Sequence, residues 1–152
     1  MFDFKKILFL FLLVFVLGAF CMFTACTSSE NENIIKINDK EFKVELARTD
    51  EETYRGLSFR EELCSDCAML FIFPEARERT FVMRNMLIPL DIIFIRDNKI
   101  INIHKNLEPE GKNYKGRYSS DGPANYVLEI NAGLSDTFGI KKGDDVFIDI
   151  GE

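Results

Sequence analysis

Histidine occurs once in the 152 residues, at His104, and the chain has no Gly-x-Ser-x-Gly turn. A serine hydrolase needs a histidine base and an exposed serine on such an elbow, so that chemistry has little support. In "INIHKN" the lone histidine reads first as structural or solvent-facing, and only weakly as catalytic. No basic stretch is long enough to neutralise several phosphates, which argues against a nucleic-acid partner. Zinc would need four ligands, and beyond the N-terminal segment only Cys64 and Cys67 accompany Cys26, with His104 far away in sequence. The pattern therefore asks for no metal and no cofactor. Strand–helix–strand alternation and internal repeats are also missing, which excludes a doubly wound sheet or a solenoid.

The first thirty residues are distinctive. Lys5 and Lys6 precede a run from Ile7 to Ala25 without a charge, ending in "FTAC" and the polar "TSSENEN". This is an export signal. Cys26 follows the small Ala25, as in a bacterial lipoprotein signal whose cysteine is lipidated; Cys21, after the bulky Phe20, fits worse. The alternatives are free secretion and an uncleaved anchor, the latter because an apolar helix rising about 1.5 Å per residue nearly crosses a ~30 Å hydrocarbon core in this length. Lipidated or anchored, the expectation is an extracytoplasmic, membrane-anchored envelope protein, since the lysines stay inside. Residues 1–26 form the signal or anchor, 27–37 a linker with a first strand, and 38–152 the domain. Removing two lysines and one aspartate with the signal takes the net charge from −6 to −7, an acidity that is simply solubilising.

The domain reads as strands. "IIKINDKEFKVELA" alternates polar and apolar residues around Asn38-Asp39, which predicts a tight hairpin. "TDEETYRGL" predicts a short helix with Thr49 as N-cap, Glu52 completing a capping box and Gly56 as its stop. "MLFIF", "TFVM" and "DIIFIR" are short and rich in β-branched and aromatic residues, and Pro74 and Pro89 punctuate them. A second hairpin turns at Asp97-Asn98, and a long loop is expected from Asn106 to Pro123. "NYVLEI" is a strand, "AGLSDTFG" a helical turn or two, and "KKGDDVFIDI" a turn and a final strand. Seven or eight strands with two short helices predict a single all-β domain, a sandwich or jelly-roll-like fold.

Asp91 sits between Pro89-Leu90 and an unbroken apolar run, and Glu129 lies within "YVLEI". Arg48, Arg55 and Arg60 accompany the short helix. A buried carboxylate needs a cation or amides to bond, and arginine offers a planar fork. These residues either fasten the helix to the sheet as ion pairs or form a binding site in which arginine takes an anionic ligand. A third reading makes Asp91 and Glu129 paired carboxylates of a hydrolytic, carbohydrate-active enzyme. Met69, Met83 and Met86 read as core. Cys64-Ser65-Asp66-Cys67 reads as a short structural disulfide, with free thiols or redox chemistry as alternatives.

The ordered segments "RTDEETYRGLSFREEL", "AMLFIFPE", "FVMRNMLIPLDIIFI" and "PANYVLEINAGLSDTFGIKKGD" resemble the family called domain of unknown function 192, over about residues 40–150. The resemblance implies an all-β, jelly-roll-like domain, often behind a signal peptide, with no established activity. The chain departs from the usual pattern at Val82, Met86 and Ala68, where the family usually has Trp, Thr and Gly. Its cysteine pair precedes the apolar strands instead of lying in the long loop. The combined expectation is a membrane-anchored binding module, whose partners are the membrane and an unknown small ligand or envelope protein met through the 106–123 loop. An enzyme or a purely structural lipoprotein are the rivals.

Overall fold

The computed structural model describes residues 32–151, so the expectations for the export segment, Cys21 and Cys26 lie outside the described residues. Seven strands are present among the described residues: β1 (Ile34–Ile37), β2 (Lys40–Ala47), β3 (Cys67–Phe81), β4 (Leu90–Arg96), β5 (Lys99–Leu107), β6 (Tyr118–Asn131) and β7 (Val146–Asp149). The helices are α1 (Asp50–Arg55) and α2 (Leu134–Thr137). Among the described residues no helix is long and apolar enough to cross a membrane.

Two facing sheets are not what the strands form. All seven belong to one sheet, in the order β5-β4-β6-β3-β2-β1-β7. The sheet curls, and its two edges meet at one end. There Ile100 N donates to Asp144 O, Gly143 N to Ile100 O, and Val146 N to Asn98 O. Every strand sends residues to the inside of the curl, among them Ile35, Phe42, Leu70, Ile93, Ile100, Leu128 and Val146. The outer face carries a second core, in which Met69, Phe71, Ile92, Phe94 and Val127 meet Leu57, Met83, Met86 and Ile88 from the connecting segments. Burying each such side chain is worth about 1.5–3 kcal/mol, so both cores contribute.

Coverage on both faces explains the apolar run: Leu90 to Ile95 are buried without exception, because β4 is central and has no solvent face. The two hairpins turn where Asn38-Asp39 and Asp97-Asn98 predict, with Asn38 and Asp97 each at φ 54°. Asparagine and aspartate tolerate this left-handed geometry, which matches the twist of a two-residue hairpin. "MLFIF" and "TFVM" are not separate strands. β3 runs through Pro74, and its ladder to β6 breaks between Ile72 and Arg77, so the missing proline N–H breaks no bond. The 106–123 loop is likewise shorter than expected: Tyr118 to Pro123 already belong to β6, leaving 108–117 irregular. Parallel pairing of β2 with β3 requires a crossover, and the chain from 48 to 66, including α1, supplies it.

Candidate functional site

Helix α1 begins as its sequence dictates. Glu52 N donates to Thr49 Oγ1 at 3.2 Å, and Thr49 N donates to Glu52 Oε2 at 2.9 Å, closing the capping box. It ends at Gly56, whose φ of 47° would strain any residue with a side chain, and a Cβ there would lie 3.4 Å from the Phe71 ring. This close seating brings the helix end against β3. Between them opens a cleft of about 180 Å³, lined by Thr53 to Ser58, by Phe71, Thr80, Phe81 and Val82 of the sheet region, and by Arg84 and Met86.

Glu129 lies at the base of this cleft. It is 5% exposed, and its Oε2 is buried with no hydrogen-bond partner among the described residues. On β6 it stands between Met69 of β3 and Ile92 of β4, so its nearest cross-strand neighbours are apolar. Burial without a compensating cation pushes its carboxyl up to about 8, which keeps it protonated at neutral pH. At the lip, Arg84 stacks 3.8 Å above the Tyr54 ring and donates from Nη2 to Tyr54 O at 2.6 Å. The Ser58 hydroxyl donates to Arg84 O at 3.1 Å, which fixes the backbone there. Arg55 is exposed on the same wall. Neither arginine forms an ion pair among the described residues.

The other expected site residues are dispersed. Asp91 pairs in register with Ile130 while Ile92 pairs with Glu129, so the Asp91 and Glu129 side chains point to opposite faces of the sheet. They cannot flank one bond, and the paired-carboxylate reading fails on this geometry. Asp91 is fully buried and bonded to no arginine. Its Oδ1 accepts from Asn106 N at 2.8 Å and Gly133 N at 3.2 Å, and its Oδ2 from Ser135 N at 2.9 Å. It thus caps the first turn of α2 from a different strand and pins the end of β5.

The remaining arginines of the helix segment hold structure. Arg60 forks onto Glu45 of β2, and that guanidinium holds the Glu45 carboxyl below its ordinary range. Arg48 donates to Gly151 O at 2.9 Å. His104 shares the outer face, but its Nε2 lies 2.8 Å from Ser119 O and its ring packs between Phe94 and Tyr118. Cys64 and Cys67 are joined by a disulfide at the entry to β3. Together with Asp66 their ligand atoms lie within 4.8 Å of one another, but the disulfide occupies both sulfurs. The 108–117 loop does not line the cleft. Within it, the Glu110 carboxylate accepts from Lys115 N and Gly116 N.

Arg84 is the cleft residue that sequence reasoning missed. It lies inside "FVMRNMLIPLDIIFI", next to an apolar stretch, and that context was its one available signal.

The described chain is thus a small, mostly-β domain built on one curled sheet with a cleft on its outer face. A model of the DUF192 family, an uncharacterised family, matches residues 33–148, and the chain belongs to it. A crystal structure of a protein of unknown function from Novosphingobium aromaticivorans is similar at TM-score 0.70 and 39% identity, covering 75% of this chain and 83% of that one. A Sinorhizobium meliloti protein that carries a provisional name as a transcription regulator matches at TM-score 0.71 and 34% identity, over 77% of this chain and 92% of that one. No curated protein matches.

Proposed function

We propose that the protein is a membrane-anchored, extracytoplasmic binding module that holds a small polar ligand in the cleft above Glu129. The single observation that carries this reading is the buried, unpartnered Glu129 oxygen at the base of the cleft. A buried carboxyl oxygen without a partner costs about 1–3 kcal/mol, and a fold has no stabilising reason to keep one there. A ligand donating to it would recover that cost. The anchor is supported by the N-terminal apolar run and Cys26.

The experiment is a thermal-shift screen of the purified full chain against small organic acids, amines and zwitterions. A true ligand at about 100 times its Kd stabilises by about 2.7 kcal/mol and raises Tm accordingly. Glu129→Gln and Arg84→Ala should each remove that shift. A shift that survives in both variants moves the site elsewhere, and the absence of any shift favours a purely structural envelope protein.

A further inference from the structure

Resting on the binding reading above, we infer that the ligand of this cleft is a small zwitterion of the ω-amino acid type, its carboxylate on the arginines of the lip and, across a short carbon chain, its ammonium on Glu129. The two ends of the cleft differ in charge type. The lip offers Arg84, braced against Tyr54, and Arg55, both cations without an ion-paired partner among the described residues. The floor offers one carboxyl and no other acid. Leu57, Phe71, Phe81 and Met86 line the space between and contribute no charge.

A simple anion would satisfy the lip and leave the Glu129 oxygen orphaned. A simple amine would satisfy the floor while meeting two guanidinium groups of its own sign. A molecule with an anion at one end and an ammonium at the other answers both. The volume, about 180 Å³, exceeds many times what one water requires, yet falls below the roughly 300–1,000 Å³ of drug-sized sites. That size suits a short ω-amino acid better than a peptide or an oligosaccharide.

An ammonium on Glu129 needs the ionised carboxylate, so binding releases the proton that burial retains. Arg55 from α1 and Arg84 from the segment after β3 line the same cleft, but the Glu129 carboxyl is shifted by burial and by neither arginine; the His104 ring is committed to Ser119 O. Apparent affinity follows the ionised fraction. It should therefore rise about tenfold per pH unit between about pH 6 and 7 and level off above the Glu129 value.

The test is calorimetric titration of the full chain with a panel of straight-chain ω-amino acids of increasing length. Each is compared with its ω-hydroxy acid and the alkylamine of the same chain length, at several pH values. The expected result is an amino acid that binds with that pH slope and with proton release, while its hydroxy acid and amine bind at least tenfold more weakly. Glu129→Gln should abolish the slope and the preference for the amino group. Equal or tighter binding of a hydroxy acid or amine would overturn the zwitterion assignment and leave the cleft as a binding site. Absence of binding by every amino acid, hydroxy acid and amine, in the wild-type chain as in Glu129→Gln, would remove the binding reading as well.

Discussion

Asp91 and Glu129 sit one register step apart on neighbouring strands and lead opposite lives. Asp91 accepts three backbone N–H groups, so its carboxylate is fully used by the fold. Asp91→Asn exchanges one acceptor oxygen for an NH2 that faces a donor. It should cost about 2–4 kcal/mol, and Asp91→Ala somewhat more, by denaturant unfolding. Wild-type stability in both variants would contradict the capping role. Glu129 makes the opposite prediction. Its folded value near 8 stands above its ordinary 4.5, so between those values the unfolded chain has released a proton that the native chain keeps. Stability should therefore be full below about pH 4.5, decline as pH rises towards 8 and then level off, by several kcal/mol in all. Glu129→Gln should flatten that decline, and a pH series of unfolding curves reads it directly.

At the level of elements, the local signals proved reliable where local chemistry decides. The Thr49/Glu52 box, Gly56 and the two asparagine-aspartate turns fix helix and hairpins through bonds made within a few residues. Pro74 misled because proline forbids a ladder bond only where the ladder exists, and β3 has none there with β6. The single sheet was not legible as such. A sandwich and a curled sheet with both faces covered both give short apolar strands, and the difference lies in pairings such as β1 with β7, far apart in sequence. Glu129 was visible as an acid among apolar residues, but that it faces away from Asp91 depends on register, which pattern does not reveal. The disulfide belongs to this scale. It encloses a sequence separation of only 3, so it constrains the unfolded chain little. Replacing both cysteines by serine should lower stability modestly and leave the fold intact, as circular dichroism and a melting curve would show. Complete unfolding would mean the disulfide holds far more than the entry to β3.

For the whole molecule, the proposed anchorage joins a hydrophobic N-terminal segment to an acidic domain. Cys26→Ala should abolish lipid labelling in cells, and unchanged labelling would refute the lipoprotein route. Membrane retention without label would instead identify the apolar run itself as the anchor, since such a segment holds to the bilayer without an acyl chain. The expected acidic surface keeps the domain from adhering electrostatically to anionic lipid, so attachment should depend on the tether and not on salt.

The ladder between β1 and β7 joins the two most distant stretches of the described chain: Ile34 lies opposite Asp149, and Gly151 N donates to Asn33 Oδ1 at 3.0 Å. Those contacts can form only after nearly the whole domain has been synthesised. Loop closure over that span carries the largest entropy of any pairing here, which puts this strand pair late in folding and makes refolding slow for a domain of this size. Until the ladder forms, β1 presents an unpaired edge to its surroundings. On the proposed export route, a chain crossing the membrane from its N-terminus would expose that edge for the longest time, and the interval before β7 emerges would be when the protein is most open to aggregation and to chaperone capture.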